Sequence, residues 1–445
     1  MNYKNKKILI MGLGIHGGGV DDALFFMKNG ADVVVTDLRD KEDLAPSIDK
    51  INNYCESVNN KASVEWVLGC HREEDFKNCD LVIKNPAVPN NSQFLDIARE
   101  NNIPMKSSAA IFMDIADTER VIGITGTKGK SSTATLAHEA MKACGLSVKI
   151  AGTVGRSLLS ALPMEKDEWV VAELSSWQLE DVSKSPHIAI ITNIDKDHLD
   201  RYESYQDYVE AKKMIFKYQD AHDYLIINEK ATFCLDDDAP KQKRSVFSGK
   251  EAAAYKELTL NYHPENILCV LKLSEVLGME KETVLRATSN AKGLSGRLEF
   301  IGMVDGIDVY NDTTATNPYA TINSIGRFED KKVAVILGGE NKGLDYSDLI
   351  TSIKDVHHVS LLPGTASDKI YNITNNLQHI TNNMVQAKTL KEAIEQCLES
   401  EPDVILFSPA AASFNMFKDE FDRGDKFKKE VEKIIKLNAR QKDNA

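Results

Sequence analysis

Val121-Ile122-Gly123-Ile124-Thr125-Gly126-Thr127-Lys128-Gly129-Lys130-Ser131-Ser132 is the stretch that decides the fold of this chain. An apolar, β-rich run stops at a glycine-containing loop, and Lys130-Ser131 open a helical pattern that runs from Thr133 to Met141. Strand, glycine loop, Lys-Ser and helix make a phosphate cradle. Glycines let backbone N–H groups converge on phosphate oxygens, and the helix N-terminus adds positive potential. Lys130 supplies a point charge, and the Ser131 hydroxyl can hold Mg²⁺. The spacing Gly126-x-x-Gly129-Lys130-Ser131 is shorter than the strict P-loop, whose first glycine would fall at Ile124.

Working outward, the strands of the same unit carry polar groups at their carboxyl ends. Trp169 to Glu173 is an apolar strand closing on a carboxylate, and a charge there needs a cation or a donor. His187 to Ile194 leads into Asp195-Lys196-Asp197-His198-Leu199-Asp200-Arg201-Tyr202, which places His198 at the strand end. Tyr208-x-x-Ala211-Lys212-x-x-Ile215 reads as one helix, with Lys212 one turn after Tyr208.

Before this unit, Lys7–Met11, a helix over Gly17–Asn29 and a strand over Ala31–Asp37 form a βαβ unit. Its first turn reads Gly12-x-Gly14-x-x-Gly17, with Asp37 at the spacing of a ribose ligand, and Asn85 ends a later strand. A glycine turn of this kind marks a nucleotide pocket without naming the ligand. After a hinge at Ala291–Arg297, the strands Lys332–Leu337, His358–Leu362 and Asp403–Phe407 form a third α/β unit, and the tail from Lys426 is a charged helix. The expected domains are residues 1–114, 115–292 and 293–445: Rossmann-like, P-loop ATPase-like with a parallel sheet, and Rossmann-like.

The net charge of −13 argues against a broad nucleic-acid or anionic-membrane surface. Seven scattered cysteines without a Cys-x-x-Cys pair argue against a disulfide framework or structural zinc. Lys6-Lys7 before Ile8–Ile15 reads as the start of a buried strand, not a signal peptide. A cytoplasmic protein is expected, without membrane insertion or a nucleic-acid partner.

Together these motifs resemble the Mur ligase family, the ATP-dependent ligases of peptidoglycan precursor synthesis. The resemblance rests on the phosphate loop, Glu173-Leu174-Ser175-Ser176, Asn193 through Tyr202, Tyr208-x-x-Ala211-Lys212, Gly293-Leu294-x-x-Arg297, Asn311-Asp312, Gly338-Gly339-x-x-Lys342 and Ser408-Pro409-Ala410-x-Ala412-Ser413, all in the family's order. It implies that Gly14, Ile15, His16, Asp37, Asn85 and Thr153 hold a uridine diphosphate substrate. It assigns Gly126, Thr127, Lys128, Gly129, Lys130, Ser131, Ser132, Asn266, Arg297 and Asp312 to ATP. Ser131, Glu173, His198 and Lys212 would hold two Mg²⁺ ions, with Lys212 as a carbamylated lysine. Catalysis would fall to Lys130, Glu173, His198 and Lys212, and recognition of the amino acid to Lys342, Ser413 and Phe421. The last motifs resemble the branch that adds D-glutamate, implying UDP-N-acetylmuramoyl-L-alanine and glutamate as substrates of a monomer. The sequence departs from the pattern at Lys128, Asn85, Thr153 and Thr314, and Phe421 is shifted by one place. A related ligase adding L-glutamate is the alternative within the family. Outside it stand an NAD-dependent oxidoreductase, reading the Gly12 turn literally, and a non-catalytic sugar-nucleotide-binding regulator.

Overall fold

The protein is described here from a computed structural model, covering the chain apart from residues 1–2, 59–62, 198–200, 236–240, 259–260, 376–382, 414–415 and 444–445. Three sheets follow one another along the chain. The first contains β1 (Lys7–Met11), β2 (Asp32–Asp37), β3 (Val64–Leu68), β4 (Leu81–Lys84) and β5 (Met105–Lys106), ordered β3-β2-β1-β4-β5 and wholly parallel. The second contains β6 (Val121–Thr125), β7 (Val148–Ala151), β8 (Trp169–Glu173), β9 (Ile188–Ile191), β10 (Tyr224–Asn228) and β11 (Lys243–Phe247), ordered β11-β10-β9-β6-β8-β7, again all parallel. The third contains β12 (Glu299–Val304), β13 (Ile307–Asn311), β14 (Val333–Gly338), β15 (His358–Leu362), β16 (Met384–Gln386) and β17 (Val404–Phe407). Its order is β12-β13-β17-β14-β15-β16, parallel except for the β12–β13 hairpin.

The chain forms two compact units. One holds residues 1–256 and 263–290, and so the first two sheets; the other holds residues 257–262 and 291–445. Near-continuous apolar runs explain the sheets: every residue of β6, β8 and β9 is buried, as parallel strands covered on both faces must be.

The topology also explains where chemistry collects. In the first sheet the order reverses at β1 and β4, bringing the Gly12 turn beside Asn85, and ligands of open α/β sheets bind at such a switch point. In the second, β6 lies between β8 and β9, so the phosphate loop is flanked by Glu173 and the segment after Ile191. In the third, β13, β17 and β14 are neighbours, gathering Asp312, the Ser408–Ser413 loop and Gly338-Gly339.

Most boundaries shift by a residue or so, and three larger differences from the sequence expectation bear on the site. β9 stops at Ile191, because Thr192 and Asn193 turn away to bond the phosphate loop. The helix carrying Lys212 spans Tyr205–Lys213, so Ile215 lies beyond it. The C-terminal helix begins at Glu420, not Lys426, placing Phe421 in its first turn. Among the described residues no helix is long and apolar enough to cross a membrane.

Candidate active site

The phosphate loop is built so that only glycine fits at two positions. Gly126 sits at φ 154° and Gly129 at φ 84°. A Cβ on Gly126 would lie 1.9 Å from Thr192 Oγ1, and one on Gly129 would lie 2.5 Å from Asn266 Oδ1. Gly129 caps the helix Lys130–Ala143, whose opening turn presents N–H groups to an anion. Asn193 clasps Lys128, accepting its N–H at 2.9 Å and donating to its carbonyl at 3.1 Å. Thr127 Oγ1 meets Tyr208 Oη at 2.9 Å and accepts the Asp195 N–H at 2.9 Å. The loop is thus held from outside by groups sequence spacing alone does not connect to it. Thr192 in particular carried no signal beyond following an apolar run.

Lys130 folds across the loop and donates to the carbonyls of Gly126 at 2.9 Å and Thr127 at 3.1 Å. Ser131 Oγ donates to Glu173 Oε1 at 2.9 Å. The other carboxylate oxygen, Glu173 Oε2, is buried without a hydrogen-bond partner. Such an atom costs free energy unless a donor or cation meets it. A hydroxyl and a half-satisfied carboxylate form an oxygen-only donor set that fits Mg²⁺.

Lys212 is 1% exposed, and its Nζ donates to the Gly126 carbonyl at 2.9 Å, 4.7 Å from the centre of the Tyr208 ring. Burial drives its pKa well below the ordinary lysine value, and Lys130 and Lys128 push the same way against the opposing Asp197. A buried lysine held toward its neutral amine is a nucleophile, not a solvated cation. Its neighbour Lys213 pairs instead with Glu210 at 3.1 Å. His198 lies outside the described residues.

In the first sheet, Gly12, Gly14 and Gly17 adopt φ values of 91°, 66° and 106°. Asp37 is buried, and its carboxylate closes this turn. Oδ2 accepts the Gly14 N–H at 3.0 Å and Oδ1 the Arg39 N–H at 2.9 Å. Asn85 bridges back with Nδ2 donating to the Gly12 carbonyl at 3.2 Å, while its Oδ1 accepts the Ala87 N–H. Ile15 and His16 stand exposed on the turn. The Thr153 loop abuts it: a Cβ on Gly17 would lie 2.9 Å from the Gly155 carbonyl oxygen, and one on Gly155 would lie 2.7 Å from that of His16. The structure therefore brings Gly14, Ile15, His16, Asp37, Asn85 and the Thr153 loop together.

In the second unit Asp312 is buried and accepts from Ser324 Oγ at 2.6 Å, Ser408 Oγ at 2.7 Å and the Leu298 N–H at 3.1 Å. Burial pushes its pKa up to about 6 against those hydrogen bonds and the nearby Arg297. Ser413 Oγ is buried without a hydrogen-bond partner, while Lys342 is exposed. Arg423, fully buried, ties the two loops together: Nε and Nη2 donate to Thr313 and Nη1 to the Ala411 carbonyl. Sequence reasoning missed this arginine because the helix was expected to begin only at Lys426, three residues after it. Burial of an arginine in a charged stretch is a tertiary fact.

Family models match successive segments: the Mur ligase MurD-like N-terminal domain over residues 6–107, the Mur ligase middle domain over 124–287, and the Mur ligase glutamate ligase domain over 296–411. The chain is 33% identical to a UDP-N-acetylmuramoylalanine–D-glutamate ligase of Borreliella afzelii, over 97% of this chain and 98% of that one. It is 31% identical to the protein of the same name from a Roseiflexus species, over 97% and 99%. Among solved structures it is similar to a UDP-N-acetylmuramate–alanine ligase of Thermotoga maritima, at 20% identity and a TM-score of 0.61, covering 96% of this chain and all of that one. It also resembles the MurF ligase of the same organism in complex with ADP, at 16% identity and a TM-score of 0.56, covering 90% and 95%. Nothing in these likenesses supports the oxidoreductase alternative. Asp37, at the spacing of a ribose ligand, closes the turn by accepting two of its backbone N–H groups.

Proposed function

This chain belongs to the Mur ligase family, and we propose that it joins D-glutamate to UDP-N-acetylmuramoyl-L-alanine at the expense of ATP. It is an amide-forming ligase of that family. In the proposed reaction the alanyl carboxylate attacks the γ-phosphorus of ATP, the β–γ P–O bond breaks, and ADP leaves an acyl phosphate. The glutamate amine then attacks the acyl carbon. The C–N bond forms, phosphate departs with the C–O electron pair, and the amine loses a proton.

The observation that carries this reading is the buried, unpartnered Glu173 Oε2 beside Ser131 on a phosphate-binding loop. Ser131 and Glu173 would hold Mg²⁺, and His198 and a carbamylated Lys212 would complete two metal positions. Bound there, the ion supplies neutralisation of phosphate charge. The depressed pKa of Lys212 favours the neutral amine that carbamylation requires. Lys130 and the helix N-terminus hold phosphate oxygens, and their charge is fixed before reaction. Gly126, Thr127, Lys128, Gly129 and Ser132 shape that loop, while Asn266, Arg297 and Asp312 are assigned to the nucleotide.

Gly14, Ile15, His16, Asp37, Asn85 and Thr153 are assigned to the uridine diphosphate substrate. The Asp37 oxygens each accept a backbone N–H and keep a second acceptor site. Lys342, Ser413 and Phe421 are assigned to glutamate. The unpartnered Ser413 hydroxyl supports its part, since it is a buried group in need of a ligand. Domain limits at 114/115 and 292/293, a monomeric state and a cytoplasmic location complete the proposal. Phosphate release with ATP, Mg²⁺ and UDP-N-acetylmuramoyl-L-alanine tests it. Turnover is expected with D-glutamate, and a preference for L-glutamate, or none without NAD, would reject it.

A further inference from the structure

The segment after β9 does more than carry metal-site residues. Arg201 Nη1 donates to the Pro86 carbonyl at 2.6 Å, and its guanidinium lies 4.4 Å from the centre of the Trp177 ring. Arg201 Nη2 lies 3.9 Å from Glu180 Oε2. Glu180 in turn accepts from Tyr202 Oη at 2.9 Å and from Asn90 Nδ2 at 2.8 Å, and lies 3.9 Å from Lys84 Nζ. The Arg201, Glu180 and Lys84 side chains are only 14%, 17% and 12% exposed, so water screens this cluster weakly.

Three strand ends meet at this point. Pro86 follows Asn85 on the loop after β4, and the amide of Asn85 is fastened to the Gly12 turn. Trp177 and Glu180 follow Glu173 on the segment after β8, Trp177 in the short helix Ser176–Leu179 capped by Ser175 and Glu180 at its end. Tyr202, beside Arg201, packs edge-on against the Tyr208 ring at 5.5 Å, and Tyr208 Oη meets Thr127 Oγ1 of the phosphate loop at 2.9 Å. Stability alone is a poor reason for this arrangement, because a buried ion pair is on balance no better than apolar packing. Its distinctive property is directional. A guanidinium carries its donors in a fixed planar fork, so it can donate to one loop while its face lies against the ring of another, a geometry that a single-point ammonium does not reproduce at the same reach.

We propose that Arg201 is a positioning residue that couples occupancy of the sugar-nucleotide loop to the nucleotide and metal loop. A substrate that fixes Asn85–Val88 thereby fixes Arg201 and Trp177, and with them the Tyr202–Tyr208 contact that reaches Thr127 and the segment that follows Glu173, and the nucleotide gains affinity. By linkage the nucleotide tightens the sugar-nucleotide to the same degree. The inference rests on the ligase reading above.

Calorimetry on the full chain tests it, measuring Mg²⁺–AMP-PNP affinity with and without UDP-N-acetylmuramoyl-L-alanine. In the parent, the second ligand should tighten the first by about tenfold, the worth of one charge-assisted hydrogen bond. In Arg201→Ala and in Arg201→Lys that factor should fall to near unity, while nucleotide affinity measured alone stays within about twofold, too little to reflect a lost contact to the nucleotide. Glu180→Gln, which keeps the shape of the hub, should retain part of the factor and carries the test if Arg201→Ala lowers Tm. Trp177 fluorescence gives a second readout, since the substrate-induced change should vanish in Arg201→Lys. Full coupling in Arg201→Lys, or equal weakening of both ligands measured singly, overturns the inference. A parent that binds no UDP substrate overturns the ligase reading instead.

Discussion

The first unit contains two strand–glycine–helix turns of related build and contrasting electrostatics. Both helices start at a left-handed glycine, Gly17 in one and Gly129 in the other. The first turn is closed by a carboxylate, Asp37 accepting the Gly14 N–H. The second is crossed by the Lys130 side chain, which donates to the Gly126 and Thr127 carbonyls. Local conformation supplies the converging N–H groups, and the residues around it decide which ligand they serve. An acidic closure favours neutral hydroxyl donors such as a ribose. A cationic crossing favours a polyanion.

The harshest way to break that contrast is Lys130→Ala. Ligation should fall by about a hundred- to a thousandfold, as for removal of a group that stabilises transition-state charge, while Tm stays close to that of the parent. Steady-state phosphate release and a thermal melt check both halves. Lys212→Ala should be nearly as inactive, with partial recovery in acetate, which offers the carboxylate oxygens a carbamate would have supplied. Lys213→Ala should behave almost as the parent. Parental activity in Lys212→Ala would remove the distinction between the two lysines.

Gly126→Ala probes the shape of the second cradle. The new methyl would lie 1.9 Å from Thr192 Oγ1 at a φ that side chains avoid. A loss of about 3 kcal/mol or more in denaturant unfolding is expected.

Asp22 extends the acidic character of the first cradle into its helix. It is buried, its pKa is pushed up to about 6 by burial, and Ser157 and Ser108 donate to it. A raised carboxyl pKa means that the folded state prefers the protonated form. That contribution is complete below about pH 4 and is lost as pH rises through about 6, a change of about 3 kcal/mol. Urea titrations between pH 4 and 7.5 should show this loss in the parent and its absence in Asp22→Asn. The smallest effect is expected for Asp37→Asn, which keeps an acceptor for Gly14 but removes the charge. It should weaken UDP-substrate binding by about tenfold or less and leave ATP binding unchanged. Equal effects on both ligands would erase the comparison.

Much of the fold was legible because parallel strands announce themselves. Lys7–Met11, Val121–Thr125, Trp169–Glu173 and Tyr224–Asn228 are short apolar runs bounded by glycine or polar residues, and each is a strand. Val64–Leu68, with its exposed Glu65, and the β12–β13 hairpin, with its bulge near Gly302, are edge elements whose pattern is half polar. They went unnoticed for that reason. The candidate site divided along the same line. Residues with a motif spacing, such as Lys130, Ser131, Glu173 and Lys212, were visible. Residues that act by reaching across the fold were not. Arg423, Thr192 and Ser324 belong to that second class; Ser408 stood in a motif, but its bond to Asp312, 96 positions away, was not legible. Spacing along a chain has no access to such pairings.

The Gly17–Gly155 contact sets a distance. Two peptide groups meet there with no side chain between them, so the gap between the Gly12–Gly17 turn and the Thr153 loop equals the thickness of bare backbone. Surface substitutions elsewhere leave that dimension alone. A methyl group on either glycine would act as a shim, wedging apart two pieces of a tool whose calibration depends on their touching.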